Sequence, residues 1–346
     1  MPTVARMDAM TPMRRYGWAL FTLPVILLAA VSILVGPAGL PWGTAIEDLL
    51  SGRDSVPALV LVEIRLPRAL LGALVGAALG IAGAAMQGLL RNPLAEPGVL
   101  GVSACAALGA VIAFYSGLVR LVPGALPAAA ILGALLGTAA LFAWAGRGAT
   151  VATLLLVGVA VNALAGAATA FGLALSPNPY AFYEVMFWLM GSLADRSLDH
   201  VALALPCVML GAVPLLLMRR RLDALSLGEE TALALGVTPS AVARWVGLGT
   251  ALAVGGAVAV SGVIGFVGLM APHAVRPFVG YRPGATLIAS AGAGATLTLA
   301  ADIAVRLLPT GRELQLGVMT ALLGAPFLGW LAIRRRGDGG RGAPWL

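Results

Sequence analysis

Lysine is missing altogether: all 22 basic residues are arginine. A P-loop needs its lysine on the nucleotide phosphates, and a pyridoxal enzyme needs a Schiff-base lysine. Neither chemistry can reside in this chain. Charge of either sign is scarce. Charged residues make up 11% of the sequence, against roughly 25% in soluble domains, which excludes a water-soluble enzyme built round one core and a disordered chain. There are two histidines, His200 and His273, and two cysteines, Cys105 and Cys207, all far apart and without zinc-ligand spacing. Both cysteines sit in apolar runs, as buried free thiols do, so a secreted disulfide scaffold is excluded too. No G-x-S-x-G or H-E-x-x-H motif occurs, and no pair of carboxylates lies at membrane depth to relay protons. The net charge of +7 does not mark a nucleic-acid binder, because the arginines lie between apolar runs and not on one polar face.

What the chain has in quantity is oil. Hydrophobic residues reach 60% and the mean hydropathy is +0.96. The apolar runs are close to the ~20 residues that cross a bilayer. Ten spans are expected, at 18–36, 66–90, 99–118, 125–145, 152–175, 201–218, 241–264, 266–279, 286–308 and 315–333. The first is longer than a signal-peptide core and has no small-residue cleavage site, so it reads as an uncleaved helix. The eighth is short and holds Pro272 and His273. Ten spans put both chain ends on one side. Fifteen of the 22 arginines then fall on the segments sharing that side and seven on the other, which places both ends in the cytoplasm. The expected organisation is an all-α polytopic membrane protein with one permease domain over 1–346. Its cytoplasmic parts are an N-terminal segment (1–16), a long segment (219–244) and a tail (334–346).

Glycine supplies the packing signal. Gly72, Gly76 and Gly80 make a smooth stripe on the second span, and Gly133 and Gly137 repeat it on the fourth. Such stripes let neighbouring backbones approach in lipid. A faint repeat also appears at an offset of 179: residues 76–83 align with 255–262, and Pro93 falls on Pro272. The two copies lie in the second and seventh spans, which cross in opposite directions, as inverted transporter repeats do.

Four features carry functional expectations. The turn 91–98 (RNPLAEPG) is stiffened by two prolines and fits a gate beside a path. In 219–244, residues 228–235 have helical composition, with Gly236 as a stop. A short helix on the inner face touches water, lipid headgroups or a partner; Glu229 and Glu230 argue against anionic lipid, and a cytoplasmic partner protein is the preferred reading over bare solvent. On the fifth span Gly158, Asn162, Ala165 and Thr169 share one face. Asn162 there either hydrogen-bonds another helix or lines a water-filled path. On the outer side, Arg65 and Arg68 flank Pro67, and Arg306 follows Asp302 by one turn. Snorkelling and an i, i+4 ion pair account for them plainly; the functional expectation is a cationic rim meeting acidic groups of a delivery protein. The aromatic, proline-broken stretch 176–200 suits the outer interface.

Eight motifs in order over roughly residues 60–330 resemble one family. They are Ile64-Arg65-Leu66-Pro67-Arg68, Met86-Gln87, the run from Asn92 to Gly98, Leu227-Gly228-Glu229, Gly265-Phe266-Val267-Gly268-Leu269, Pro272-His273, Ala301-Asp302 and Leu323-Gly324-Ala325-Pro326. In these the sequence is similar to the permeases for iron chelates and vitamin B12, which are type II ATP-binding-cassette importers. The resemblance implies a ten-helix subunit, a homodimer with the path between copies, two ATPase subunits that bind the ATP and Mg, and a periplasmic binding protein. No cofactor is implied for this chain itself. Leu227, Gly228, Glu229, Glu230, Ala232, Leu235 and Gly236 would dock the ATPase. Asn92 and Leu94 would help close the cytoplasmic end, with Val151 and Ala152 in the matching second gate; Gly158, Asn162, Ala165 and Thr169 would line the path. Arg65, Arg68 and Arg306 would meet the binding protein. The stretch Thr150-Val151-Ala152-Thr153 departs from the hydroxyl-rich gate of the vitamin B12 permease, which counts against that cargo. Ferric siderophore, haem and cobalamin all remain open. The rival classes are a stand-alone transporter driven by an ion gradient and an intramembrane enzyme, which would need a clustered polar site.

Overall fold

The computed structural model describes residues 11–36, 39–53, 55–122, 124–146, 148–308 and 314–337. Among them every regular element is helical. In chain order they are α1 (Thr11–Leu34), α2 (Trp42–Leu50), α3 (Val56–Leu89), α4 (Val102–Tyr115), α5 (Leu118–Leu121), α6 (Ala125–Ala145), α7 (Val151–Ala174) and α8 (Pro179–Leu189). Then come α9 (Leu198–Leu217), α10 (Arg219–Leu225), α11 (Glu229–Ala234), α12 (Pro239–Ser261), α13 (Val267–Val275), α14 (Pro283–Leu307) and α15 (Leu316–Gly337). Residues 1–10 and 338–346, most of the two expected cytoplasmic ends, lie outside the described residues, as do Arg147 and Arg312.

Six of these helices are long and apolar enough to cross a membrane: α3, α6, α7, α9, α12 and α14. Three shorter apolar helices lie at 19–34, 102–115 and 316–330. The eighth expected span is corrected. Its helical part is only nine residues, α13, followed by a 3-10 turn at Arg276–Phe278, which at ~1.5 Å per residue covers less than half of a ~30 Å hydrocarbon layer; the extended residues 262–265 ahead of it carry the chain from the end of α12, beside Gly191, so the segment still returns across the bundle. Its ends explain this. Phe266 enters in the left-handed region, at φ 67°, and Pro277 follows Arg276, which biases the chain away from helix. The N-terminal helix also begins earlier than expected, at Thr11.

The glycine stripes act as packing seams. A Cβ on Gly76 would lie 2.3 Å from the Gly294 carbonyl of α14, and one on Gly80 would lie 2.0 Å from that of Ser290. On α6, Gly133 meets the Cys105 carbonyl of α4 at 2.2 Å on the same test. Backbone cannot yield at those distances. Gly80→Leu is therefore expected to separate α3 from α14 and destabilise the permease by ~2 kcal/mol or more, read as a fall in the thermal midpoint in detergent; an unchanged midpoint would remove the seam.

The faint repeat has a structural counterpart. α3 and α12 pack against each other, and their equivalent glycines seat equivalent partners. Gly76 faces Gly294, Ala295 and Thr298 on α14, the ninth span; Gly255 faces Ile131 and Ala134 on α6, the fourth. The buried core follows these contacts, with Leu71, Val75, Val246, Val254, Val258, Leu287 and Leu299 closed to solvent. We call the end that carries α10 and α11 inner, following the arginine bias.

Candidate functional site

The inner end is built around the break after α3. Arg91 leaves the helix in the left-handed region (φ 47°), and the Asn92 side chain accepts the Leu94 N–H at 2.9 Å, closing a tight Asx turn. Leu94 projects, 48% exposed. Four contacts then fasten this turn and the end of α3 to α13. The Glu96 carboxylate accepts the Phe266 N–H at 2.7 Å. The Pro93 carbonyl lies 2.9 Å from His273 Nε2; a carbonyl can only accept, so that nitrogen carries the proton. Pro272 has no N–H to give the Gly268 carbonyl one turn back, and the Gln87 amide donates to that carbonyl instead, at 3.4 Å. Arg276 in turn donates to Gln87 Oε1. Gly83 permits the approach: a Cβ there would sit 1.8 Å from the Gly268 oxygen. Burial pushes the Glu96 carboxyl above the usual carboxylate range, while the Phe266 N–H pulls the other way. Arg91 and Phe266, both left-handed without being glycine, cost of order 1 kcal/mol or more each and persist only where surroundings over-determine them.

Beside this turn stands the segment expected to meet a partner. α10 is anchored by Asp223, which accepts the Gly284 N–H at 2.7 Å and pairs with Arg282 at 3.4 Å. α11 is anchored by Ala232, fully buried. The rest of α11 faces outward: Glu229, Glu230, Thr231 and Gly236 are exposed, and Leu227, Leu233 and Leu235 are 64%, 56% and 62% exposed. Gly228 (φ 107°) and Gly236 (φ 77°) bracket the helix with conformations that favour glycine. Arg91 pairs with Glu229 at 3.2 Å, joining the turn to α11. A cavity of about 900 Å³ opens between them, lined by Gln87, Arg91, Asp223, Leu227, Arg276 and Tyr281 among others. Val151 and Ala152 occupy the first turn of α7, half-buried and exposed, behind the N-cap Thr150, which accepts the Thr153 N–H at 3.2 Å.

Two expectations are corrected. The face of α7 carrying Gly158, Asn162, Ala165 and Thr169 is a helix-packing seam, not an open path. A Cβ on Gly158 would meet Leu100 at 2.5 Å, and Ala165 is buried with Val161 and Cys105. The Thr169 hydroxyl is buried without a partner among the described residues, and Asn162 is half-buried beside the Gly101 backbone. Small residues on one face suit a neighbouring helix as well as they suit a channel, and periodicity does not distinguish them. The open face of α7 is the other one, with Leu156, Leu164 and Phe171 exposed and Ala163, Gly166, Ala167 and Ala170 beside them.

The second correction concerns Arg65, Arg68 and Arg306. They do not present an exposed cationic rim. Asp302, 1% exposed, is shared by two of them: Arg68 donates to it at 2.9 and 2.8 Å through two nitrogens, and Arg306 pairs with it at 2.9 Å. The side chains of Arg68 and Arg306 are 11% and 4% exposed. Arg306 also donates to the Ser32 and Val35 carbonyls, both at 2.8 Å, and to the Ser32 hydroxyl at 2.6 Å. Arg65, 4% exposed, donates to the Ile33 and Leu34 carbonyls at 3.1 and 2.9 Å and lies over the Trp42 ring. The last carbonyls of any helix lack intrahelical donors and favour cations. Two guanidinium groups thus cap the end of α1, and the ion pair with Asp302 holds α3 to α14. Arg68 therefore turns inward to Asp302 and does not snorkel.

Residues 24–334 match the FecCD transport family. The chain belongs to that family. Relatives of this FecCD-family chain include the cobalamin import system permease protein BtuC of Halobacterium salinarum, 41% identical over 87% of this chain and 81% of the relative. The hemin transport system permease protein HmuU of Yersinia pestis is 37% identical, covering 94% of this chain and 97% of its own. The ferric enterobactin transport system permease protein FepD of Escherichia coli is 40% identical over 92% and 95%. A solved structure described as an inward-facing conformation of a metal-chelate type ABC transporter superposes with TM-score 0.81 at 30% identity, covering 93% of this chain and 99% of that one. The FecCD chain is thus a multi-pass membrane permease by fold and by family.

Proposed function

We propose that this FecCD-family chain is the membrane permease of an ATP-driven importer that carries a large metal chelate into the cytoplasm by alternating access. The observation that carries this reading is the inner-face segment from α10 to the end of α11: anchored through Asp223 and Ala232, it still offers Leu227, Leu233 and Leu235 to something outside the chain. A separate ATPase, which binds the ATP and Mg, covers that surface. A substrate-binding protein delivers cargo at the outer end, using groups other than the buried Arg65, Arg68 and Arg306. The permease works as a homodimer, both termini in the cytoplasm of a bacterial inner membrane. The open, small-residue face of α7 borders the path between copies, and Asn92, Leu94, Val151 and Ala152 close its inner end. The cargo is a ferric siderophore, haem or cobalamin; the named cargoes of the relatives cover all three at similar identity.

Reconstitution tests it. Vesicles holding the permease with its ATPase and binding protein should accumulate cargo only with ATP inside the ATPase-facing compartment. Accumulation driven by a proton or sodium gradient without the ATPase would establish the stand-alone transporter instead. Ligand titration of the cognate binding protein identifies the chelate.

A further inference from the structure

The inner turn and α13 come from opposite halves of the faint repeat, yet their side chains fasten them together. Glu96 reaches from the turn to the backbone N–H that opens α13. His273 reaches back from α13 to the turn's Pro93 carbonyl. In both bonds the α13 side donates and the turn accepts, between positions 170 and 180 residues apart, but the side chain comes from the turn in one and from α13 in the other. Gln87, held by Arg276, fills the hydrogen bond that Pro272 removes from α13. On one side the turn touches α11 through Arg91 and Glu229. On the other, the Phe266 ring presses on α15, where a Cβ on Gly324 would lie 2.3 Å from it. One continuous chain of contacts therefore runs from the partner-facing helix, through the turn, into α13 and α15.

We infer that Glu96 and His273 are positioning residues for transport: they clamp the 91–98 turn to α13 so that the two move as one body when α11 is displaced. The inference rests on the ATP-driven reading above. An exposed ion pair such as Arg91–Glu229 transmits little by itself. Behind it, the bond from the Phe266 N–H to Glu96 is half-buried where the ion pair is exposed, and a bond to an ionised carboxylate is the stronger kind. Displacement of α11 reaches the second half of the molecule only if the clamp holds.

The test uses the complete transporter in vesicles and reads cargo taken up per ATP hydrolysed. Glu96→Ala should lower that ratio roughly tenfold, the scale set by losing one charge-assisted hydrogen bond, with ATP hydrolysis continuing. Glu96→Gln keeps an acceptor oxygen and should restore most of it. A covalent substitute guards against a merely structural loss. In a Cys105→Ala, Cys207→Ser background, His273→Cys should lower the ratio, and joining it to Pro93→Cys with a short thiol cross-linker should restore it. A cross-link that abolishes uptake shows that turn and α13 must part, and overturns the clamp; so does an unchanged ratio in both Glu96→Ala and His273→Cys. If the unsubstituted transporter shows no ATP-dependent uptake, it is the ATP-driven reading that fails.

Discussion

Reversing the charge of α11 with Glu229→Arg and Glu230→Arg is expected to cut uptake per ATP hydrolysed roughly tenfold or more, which corresponds to ~1.4 kcal/mol or more of lost coupling. Two effects add. The exposed apolar trio Leu227, Leu233 and Leu235 keeps its shape, but the surface round it changes from acidic to basic, so a partner matched to the carboxylates meets like charge. Within the chain, Glu229→Arg sets a second guanidinium against Arg91, whose present partner is the Glu229 carboxylate at 3.2 Å. The fold should survive, because both side chains are exposed and the anchor at Ala232 is untouched. Uptake per ATP measured in vesicles, alongside the thermal midpoint of the purified permease, separates these effects. Undiminished uptake would sink the assignment of α11 as the docking helix.

Asp302→Asn is expected to have the largest effect on stability, ~3–5 kcal/mol, because it leaves two buried guanidinium groups without their shared counter-charge. Solvent screens this loss little, since none of the three side chains is more than 11% exposed. The loss should loosen α3 from α14 and show as a lower thermal midpoint and greater proteolysis at the outer end. Replacing all three together, with Arg68→Met, Asp302→Leu and Arg306→Met, should recover part of the loss, since a well-packed apolar substitute avoids desolvating ions. The recovery is incomplete because Arg306 also caps the Ser32 and Val35 carbonyls, which the triple variant leaves bare. A single Asp302→Asn variant as stable as the parent protein would refute the shared ion cluster.

Much of this was readable in the chain alone. Lipid imposes a harsh rule, that each crossing segment must satisfy its own backbone, and spans such as 125–145 and 286–308 announce themselves as long apolar runs. The absence of lysine excludes a P-loop in this chain, and the spacing of Gly76 and Gly80 marks a seam without specifying the helix that fills it. Only the tertiary structure decided what each polar or small side chain faces. Arg65 and Arg306 look like rim charges until α1 folds back and places its unsatisfied carbonyls against them. Gly158 and Ala165 look like a channel lining until Leu100 and Cys105 occupy that face. Glu96 and His273 lie far apart in the chain, and no local pattern signals that one reaches from the turn to α13 and the other from α13 to the turn. A period along a helix specifies which residues share a side; the neighbour on that side is set by long-range packing, because apolar contacts in a bilayer are won by shape and not by sequence distance.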